Sequence, residues 1–233
     1  MKERAYAESL LTELLNTPKE FNQNPLSGYN LLNEYLRGFK IESLIPALES
    51  RNPQIYRTAI SISSELKSEA CEILLPYLLE LIDIETEPLY LHYIFNAVFK
   101  GTYNQKHQAF IHILYHLKSE EPKIQASVMS FLELANIHQL QESHKILREK
   151  NDEIYLVQGL SYLMEAVNSD LKGEFVRHLI TDTHQMIQLF AGVISSKMYD
   201  TDSSLIRLSA NSSNDTLKAF AISVIEYREQ LEI

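Results

Sequence analysis

The sequence predicts an all-α fold without β-sheet, and three observations support this prediction. Apolar residues recur with a period close to 3.6 in almost every segment, and no segment of useful length alternates strictly between apolar and polar residues. The composition favours helices, because the chain has only 6 glycines and 7 prolines and is rich in Leu, Ile, Glu and Tyr. Similar helix starts also recur at nearly regular intervals, which is typical of a helical repeat.

The apolar periodicity predicts a nearly continuous series of helices with short connections. The longest connection, residues 16–29, carries two prolines and a glycine, which predicts a loop. The predicted helices are Glu3–Asn16, Tyr29–Gly38, Ile41–Ser50, Gln54–Lys67, Ala70–Asp83, Leu89–Phe99, Gln105–Leu117, Lys123–Asn136, His138–Lys150, Glu153–Asn168, Leu171–Ile180, His184–Met198, Ser203–Ser209 and Thr216–Leu231.

Six helix starts share one pattern, in which Asn, Asp or Glu is often followed by Pro or Asp and then by a long apolar stripe. Asn and Asp side chains accept hydrogen bonds from the free N–H groups of a first helical turn, and proline fits that turn because its N–H is not needed there. Successive starts are 35, 34, 30, 31 and 32 residues apart. The starts are Asn52, Glu87, Glu121, Asn151, Asp182 and Asn214.

A second helix lies between successive starts, so each unit is a helix pair. Such a pair cannot bury its apolar face alone, whereas stacked pairs can. The stretch around the first start reads LIPALESRNPQIYRTAISI, and ILLPYLLELIDIETEP repeats its first part. These runs resemble a HEAT-type repeat, in the short form found in bacterial proteins. The resemblance is good over residues 41–168 and looser in the last third, and the period is shorter than the ~40–47 residues of longer HEAT repeats.

The resemblance implies one solenoid domain over residues 1–233. It implies an N-terminal cap (1–38), repeats (39–198), and a degenerate unit with a C-terminal cap (199–233). The fold would be a right-handed α–α superhelix of roughly five to six HEAT-like helix pairs. The second helices would line its concave surface. Arg57, which follows the Asn-Pro turn, would then be a contact between repeats.

Charge and cysteine content restrict the partner and the compartment. The formal net charge of −10 disfavours nucleic acid and anionic membranes and favours a basic protein partner, although it could also serve solubility alone. A single cysteine, Cys71, excludes an internal disulfide, fits a reducing compartment and is expected to be structural. No secretory signal or membrane span is evident in the sequence. We expect a soluble, cytoplasmic protein that is monomeric when free.

The clearest candidate for partner binding is an acidic stripe on the predicted helix Ala70–Asp83. Helical spacing places its carboxylates on one side, with Glu65 before them and Glu85 and Glu87 in the turn that follows. Like charges at this spacing repel, which a basic partner would relieve; the alternative is an ordinary solvated face. The candidate residues are Glu69, Glu72, Glu80 and Asp83.

His112 and His116 form a second candidate, because their spacing of four residues places both on one helical face. With Glu120 they could hold a metal, but position 113 is Ile, so the zinc-protease motif is absent. We therefore expect a polar partner-binding face and no metal. No phosphate-binding loop, nucleophile elbow or cysteine pair occurs, so we expect neither a cofactor nor a catalytic residue.

The sequence favours a non-enzymatic, protein-binding solenoid that grips a basic partner on its concave face. One such class is an inhibitor, for example an immunity protein that neutralises a bacterial toxin. One alternative is a HEAT-like DNA-repair glycosylase, a class that uses a basic groove, Trp and a catalytic Asp; here the charge has the opposite sign and Trp is absent. Another alternative is an assembly scaffold or adaptor with several partners.

Overall fold

The computed structural model describes residues 2–150, 152–168 and 171–231, so the predicted repeat start Asn151 lies outside the described residues. Within those ranges the chain is 79% helical, with 15 α-helices, three short 3-10 helices and no strand. The predicted all-α class is confirmed. In the part of the chain that the structure describes, no helix is both long and apolar enough to cross a membrane.

The chain divides into two compact units, of which the first ends at Lys106. A 3-10 helix, Ile41–Leu44, runs directly into the short helix α4. The helices of this unit are α1 (Lys2–Asn16), α2 (Pro18–Gln23), α3 (Pro25–Leu36), α4 (Ile45–Leu48), α5 (Pro53–Glu65), α6 (Ser68–Ile82) and α7 (Pro88–Tyr103).

The loop predicted for residues 16–29 is wrong, because most of this segment is helical. Pro18 and Pro25 lie in the first turns of α2 and α3, where a missing N–H breaks no helical hydrogen bond. The Asn24 side chain caps α3 by accepting a hydrogen bond from the Leu26 N–H at 3.1 Å. These prolines therefore start helices, as Pro53, Pro88 and Pro122 do.

Helices of the first unit stack in chain order. α3 packs on α5 and α5 on α7, while α4 packs on α6. Polar contacts reinforce the α5–α7 step, because Asn96 Nδ2 and Lys100 Nζ of α7 both donate to the carbonyl of Ser64, the penultimate residue of α5. This carbonyl lies at the negative end of the helix dipole, which a lysine stabilises. The arrangement is compatible with a helical repeat.

The second unit begins at His107. Its first element replaces the predicted helix Gln105–Leu117 with a 3-10 helix (His107–Phe110), one turn of α8 and another 3-10 helix (Tyr115–Lys118). The α-helices are α8 (Ile111–Leu114), α9 (Pro122–Leu134), α10 (Ile137–Arg148), α11 (Ile154–Val167), α12 (Gly173–Ile180), α13 (Gln185–Lys197), α14 (Ser203–Ser209) and α15 (Asp215–Leu231).

Helix α13 lies at the centre of the second unit. It packs against α9, α11, α12, α14 and α15, and every residue from Leu189 to Ser196 is buried. Helix α9 packs on α13 and α15, which follow much later in the chain, whereas each pair of a linear stack contacts only its neighbours. The helices of this unit therefore enclose α13.

A lysine cap occurs in each of the two units. Lys197 Nζ, at the end of α13, donates to the carbonyl of Glu133, the penultimate residue of α9. Lys100 of α7 caps the end of α5 in the same way. The pair α9 and α13 therefore resembles the pair α5 and α7, although three helices, α10 to α12, separate α9 from α13 in the sequence. The superhelix and the single domain over residues 1–233 remain predictions.

Ser143 in α10 carries an unsatisfied hydroxyl. Its side chain is fully buried, and Oγ has no hydrogen-bond partner among the described residues. Since an unpaired buried hydroxyl costs free energy, we expect Ser143→Ala to raise the free energy of unfolding by about 1 kcal/mol in urea denaturation. The control is Ser195→Ala, because Ser195 is equally buried but donates to the Ala191 carbonyl at 2.7 Å. A loss of stability in Ser143→Ala, or an equal gain in the control, would contradict the expectation.

Candidate functional site

Helix α6 has one apolar side and one acidic side. The buried side contains Cys71, Leu74, Leu75, Leu78, Leu81 and Ile82, whose spacing of three and four residues turns them towards the interior. Glu69, Glu80 and Asp83 are exposed on the opposite side, and Glu72 is half-buried beside them. The structure thus places the four predicted acidic residues along one side of the helix.

Pro76 lies on the exposed side without ending the helix. Because proline has no N–H, it leaves the carbonyl of Glu72 without its usual helical partner. Lys106 Nζ donates to that carbonyl at 3.2 Å, which replaces the missing hydrogen bond. The helix therefore continues past Pro76, and Glu80 and Asp83 stay in line with Glu69.

Two exposed isoleucines complete this surface. Ile73 is 44% exposed and Ile84 is 64% exposed. We call the surface formed by the four acidic residues and these two isoleucines the α6 face. None of its four carboxylates forms an ion pair with another residue that the structure describes. The α6 face therefore carries uncompensated negative charge beside apolar area.

Glu85, which the sequence grouped with these acids, has a structural role instead. It is buried, and its carboxylate accepts two hydrogen bonds from Arg57, from Nε at 2.9 Å and from the terminal nitrogen at 2.8 Å. Backbone N–H groups of Thr86 and Glu87 also donate to it, each at 2.9 Å. Burial alone would raise the pKa of the Glu85 carboxyl, but these hydrogen bonds together hold it below its ordinary value.

The same pair shows what Arg57 does. Its guanidinium lies 4.7 Å from the centre of the Tyr90 ring while it binds Glu85. Arg57 belongs to α5, whereas Glu85 and Tyr90 belong to the turn before α7 and to α7 itself. Arg57 therefore joins α5 to α7 and to the turn before it, which is compatible with the predicted contact between repeats.

Cys71 is buried on the apolar side of α6. Its Sγ lies 3.4 Å from the carbonyl oxygen of Ser63, to which it donates. Burial raises the pKa of the Cys71 thiol to about 11, so the thiolate needed for nucleophilic chemistry is disfavoured. This environment agrees with the structural role that the sequence predicts.

A groove lies at the C-terminal end of α6, between that end and the corner where α4 leads into α5. Its volume is about 570 Å³. The sequence does not predict this groove, because the groove arises from the packing of the α4–α5 corner against α6. The chain has many tyrosines, and nothing in the sequence distinguishes those that line a groove from those in the core. The lining residues are Leu48, Glu49, Ser50, Arg51, Pro53, Tyr56, Tyr77, Glu80, Leu81 and Ile84.

The two candidate histidines belong to the second unit. His112 lies in α8 and His116 in the 3-10 helix that follows, and both are half-buried. The backbone changes from α-helix to 3-10 helix between them, so the two histidines do not lie on one regular α-helix. Among the described residues, no group of three or more His, Cys, Asp or Glu side chains is placed to hold a metal ion.

The acidic and histidine candidates thus fall in different units. In the first unit, the α6 face and the groove share Glu80 and Ile84, so the two form one continuous surface. In the second unit, the histidines lie on a short, irregular helical segment. No protein-family model matches this chain, and a search of curated proteins finds no significant match to it.

Proposed function

We propose that this chain is a non-enzymatic binding protein that holds a basic protein partner on the α6 face. The observation that carries the proposal is the row of four carboxylates without ion pairs among the described residues, beside the exposed Ile73 and Ile84. Like charges on one helix face destabilise the free protein, and lysines or arginines of a partner would relieve this cost. The isoleucines would supply the apolar contact that holds such a complex.

The finer identity that we propose is a HEAT-like solenoid of the short-repeat type, in which α6 is a second helix on the concave surface. Occlusion of a basic surface is the mode of action that fits this face, as in an immunity protein that neutralises a toxin. Charge complementarity would speed association, and apolar anchors would slow dissociation. The cytoplasm remains the predicted location.

Charge reversal of the α6 face tests the proposal. We expect the variant with Glu69→Lys, Glu72→Lys, Glu80→Lys and Asp83→Lys to lose at least about tenfold in affinity for the partner, because attraction becomes repulsion. The measurement is affinity capture from the native cell, followed by titration of the purified partner at two salt concentrations. Circular dichroism verifies that the variant remains helical.

The matched control reverses four exposed carboxylates of the second unit, so that both variants have the same net charge. It combines Glu149→Lys, Glu165→Lys, Glu174→Lys and Glu226→Lys, and we expect it to capture the partner as the native chain does. Equal losses in both variants would mean that only net charge matters, and capture by the α6 variant would contradict the proposal. Binding of DNA at physiological salt would favour the glycosylase alternative, and several unrelated partners would favour a scaffold.

A further inference from the structure

The groove at the end of α6 has the size of a ligand site, with ample room for one side chain of a partner. Its volume of about 570 Å³ falls within the range of about 300–1,000 Å³ that is usual for ligand sites. Two tyrosines line it, the buried Tyr56 on α5 and the half-buried Tyr77 on α6. Leu48, Leu81 and Ile84 add aliphatic surface. The lining thus combines aromatic and aliphatic walls.

The charges around the groove favour a cation. Glu49 and Glu80 are exposed and line it, and neither forms an ion pair with a described residue. The C-terminal end of α6 also borders the groove, and no basic residue lies in the last turn to compensate its negative dipole end. Arg51 lines the rim with the opposite sign, but it is exposed and can turn towards water.

We propose that this groove binds one arginine side chain of the protein partner. A guanidinium is planar, stacks on aromatic rings and donates in parallel to carboxylates, so it uses both the tyrosines and the glutamates. The aliphatic residues would contact the methylene stem of the arginine. The groove shares Glu80 and Ile84 with the α6 face, so the same partner segment can reach both. This inference rests on the proposed function and specifies the chemistry of its partner.

The test uses three capped tripeptides with the full-length chain: acetyl-Leu-Arg-Leu-amide, the same peptide with lysine, and the same peptide with citrulline. Citrulline has the shape of arginine without its charge. We expect the arginine peptide to shift the ring resonances of Tyr56 and Tyr77 in NMR titrations, with saturation. The lysine peptide should bind about threefold more weakly, because an ammonium cannot donate in parallel or stack as a guanidinium does, and the citrulline peptide about tenfold more weakly, because it has no charge.

Single variants locate the binding. We expect Glu49→Gln and Glu80→Gln each to weaken binding of the arginine peptide by about two- to fivefold, the usual size of one exposed charge contact. Arg51→Gln should strengthen binding by about twofold or more, because it removes from the rim a positive charge that repels the arginine of the peptide. All three residues are exposed, so these variants should keep the fold, which circular dichroism verifies.

Equal binding of the citrulline peptide, or tyrosine resonances that do not move, would overturn the proposal. Weaker binding in Arg51→Gln would also overturn it. Failure here is distinguishable from failure of the proposed function, because Glu49 and Arg51 are not part of the α6 face. If charge reversal of the α6 face abolishes partner capture while Glu49→Gln and Arg51→Gln have no effect, the proposed function stands and the arginine site is wrong.

Discussion

Gly159→Ala is expected to destabilise the second unit by about 3 kcal/mol, the upper range for overpacking a close helix contact. Gly159 lies in α11, where the added Cβ would be only 2.1 Å from Cδ2 of the Phe190 ring in α13. That ring is 1% exposed and lies in the helix at the centre of the unit, so neighbouring side chains would have to move to make room for the methyl group. Alanine normally stabilises a helix by about 1 kcal/mol relative to glycine. A large loss of stability in this variant would therefore show that α11 and α13 are in close contact at Gly159.

The measurement is chemical denaturation of the native chain and the variant. Gly28→Ala is the matched control, because Gly28 also lies in a helix but nothing lies within 4 Å of the position its Cβ would take. We expect this control to be neutral or stabilising. In the double variant Gly159→Ala/Phe190→Leu, the smaller side chain should restore part of the loss. Unchanged stability of Gly159→Ala would show that α11 and α13 are not in such close contact.

Glu85→Gln is expected to lower the free energy of unfolding of the first unit by about 2 kcal/mol. The side chain of Glu85 is 1% exposed and that of Arg57 is 29% exposed, so the amide would leave a half-buried guanidinium without its counter-charge. We place the effect below that of a fully buried pair, because water still reaches Arg57. A double-mutant cycle with Arg57→Met should give a favourable coupling energy.

The same pair predicts a pH dependence. The folded state lowers the pKa of Glu85 below its ordinary value of 4.5, so the unfolded chain binds this proton first as pH falls. The stabilisation is therefore complete above pH 4.5 and is lost as pH drops through the lower, folded-state pKa. We expect the stability difference between the native chain and Glu85→Gln to shrink over that range in acid titrations of unfolding.

Glu87→Gln serves as the control for both measurements. Glu87 is exposed, and its contact with Glu85 is made by the backbone N–H, which the substitution keeps. We expect little change in stability and no altered pH dependence. An equal loss in this control, or no loss in Glu85→Gln, would mean that the pair contributes nothing beyond general charge.

Features that depend on neighbouring residues could be predicted from the sequence alone. Helical periodicity indicates the all-α class, and first-turn prolines mark the starts of α5, α7 and α9. The acidic side of α6 also follows from spacing alone, because residues three and four positions apart share a helix face. The sequence also predicted that Arg57 would join neighbouring helices, because it follows a turn that starts a helix, and Arg57 does contact Glu85 and Tyr90.

Two segments with ambiguous local signals were predicted wrongly from the sequence. Pro18 and Pro25 indicated a loop because two prolines and a glycine lay close together, yet each proline starts a helix. The run from Gln105 to Leu117 has helical periodicity, but only one turn of it is α-helical. In both cases the surrounding contacts decide between conformations whose local energies are similar.

Which helices meet is a matter of tertiary packing, and the sequence did not reveal it. The contact of α9 with α13, the burial of Glu85 beside Arg57 and the groove at the end of α6 all join residues far apart in the chain. Periodicity shows that a helix has an apolar side, but it does not show which other apolar side covers it. Packing geometry sets that choice, since side chains must interdigitate at close-packed density, and it is a property of several helices together.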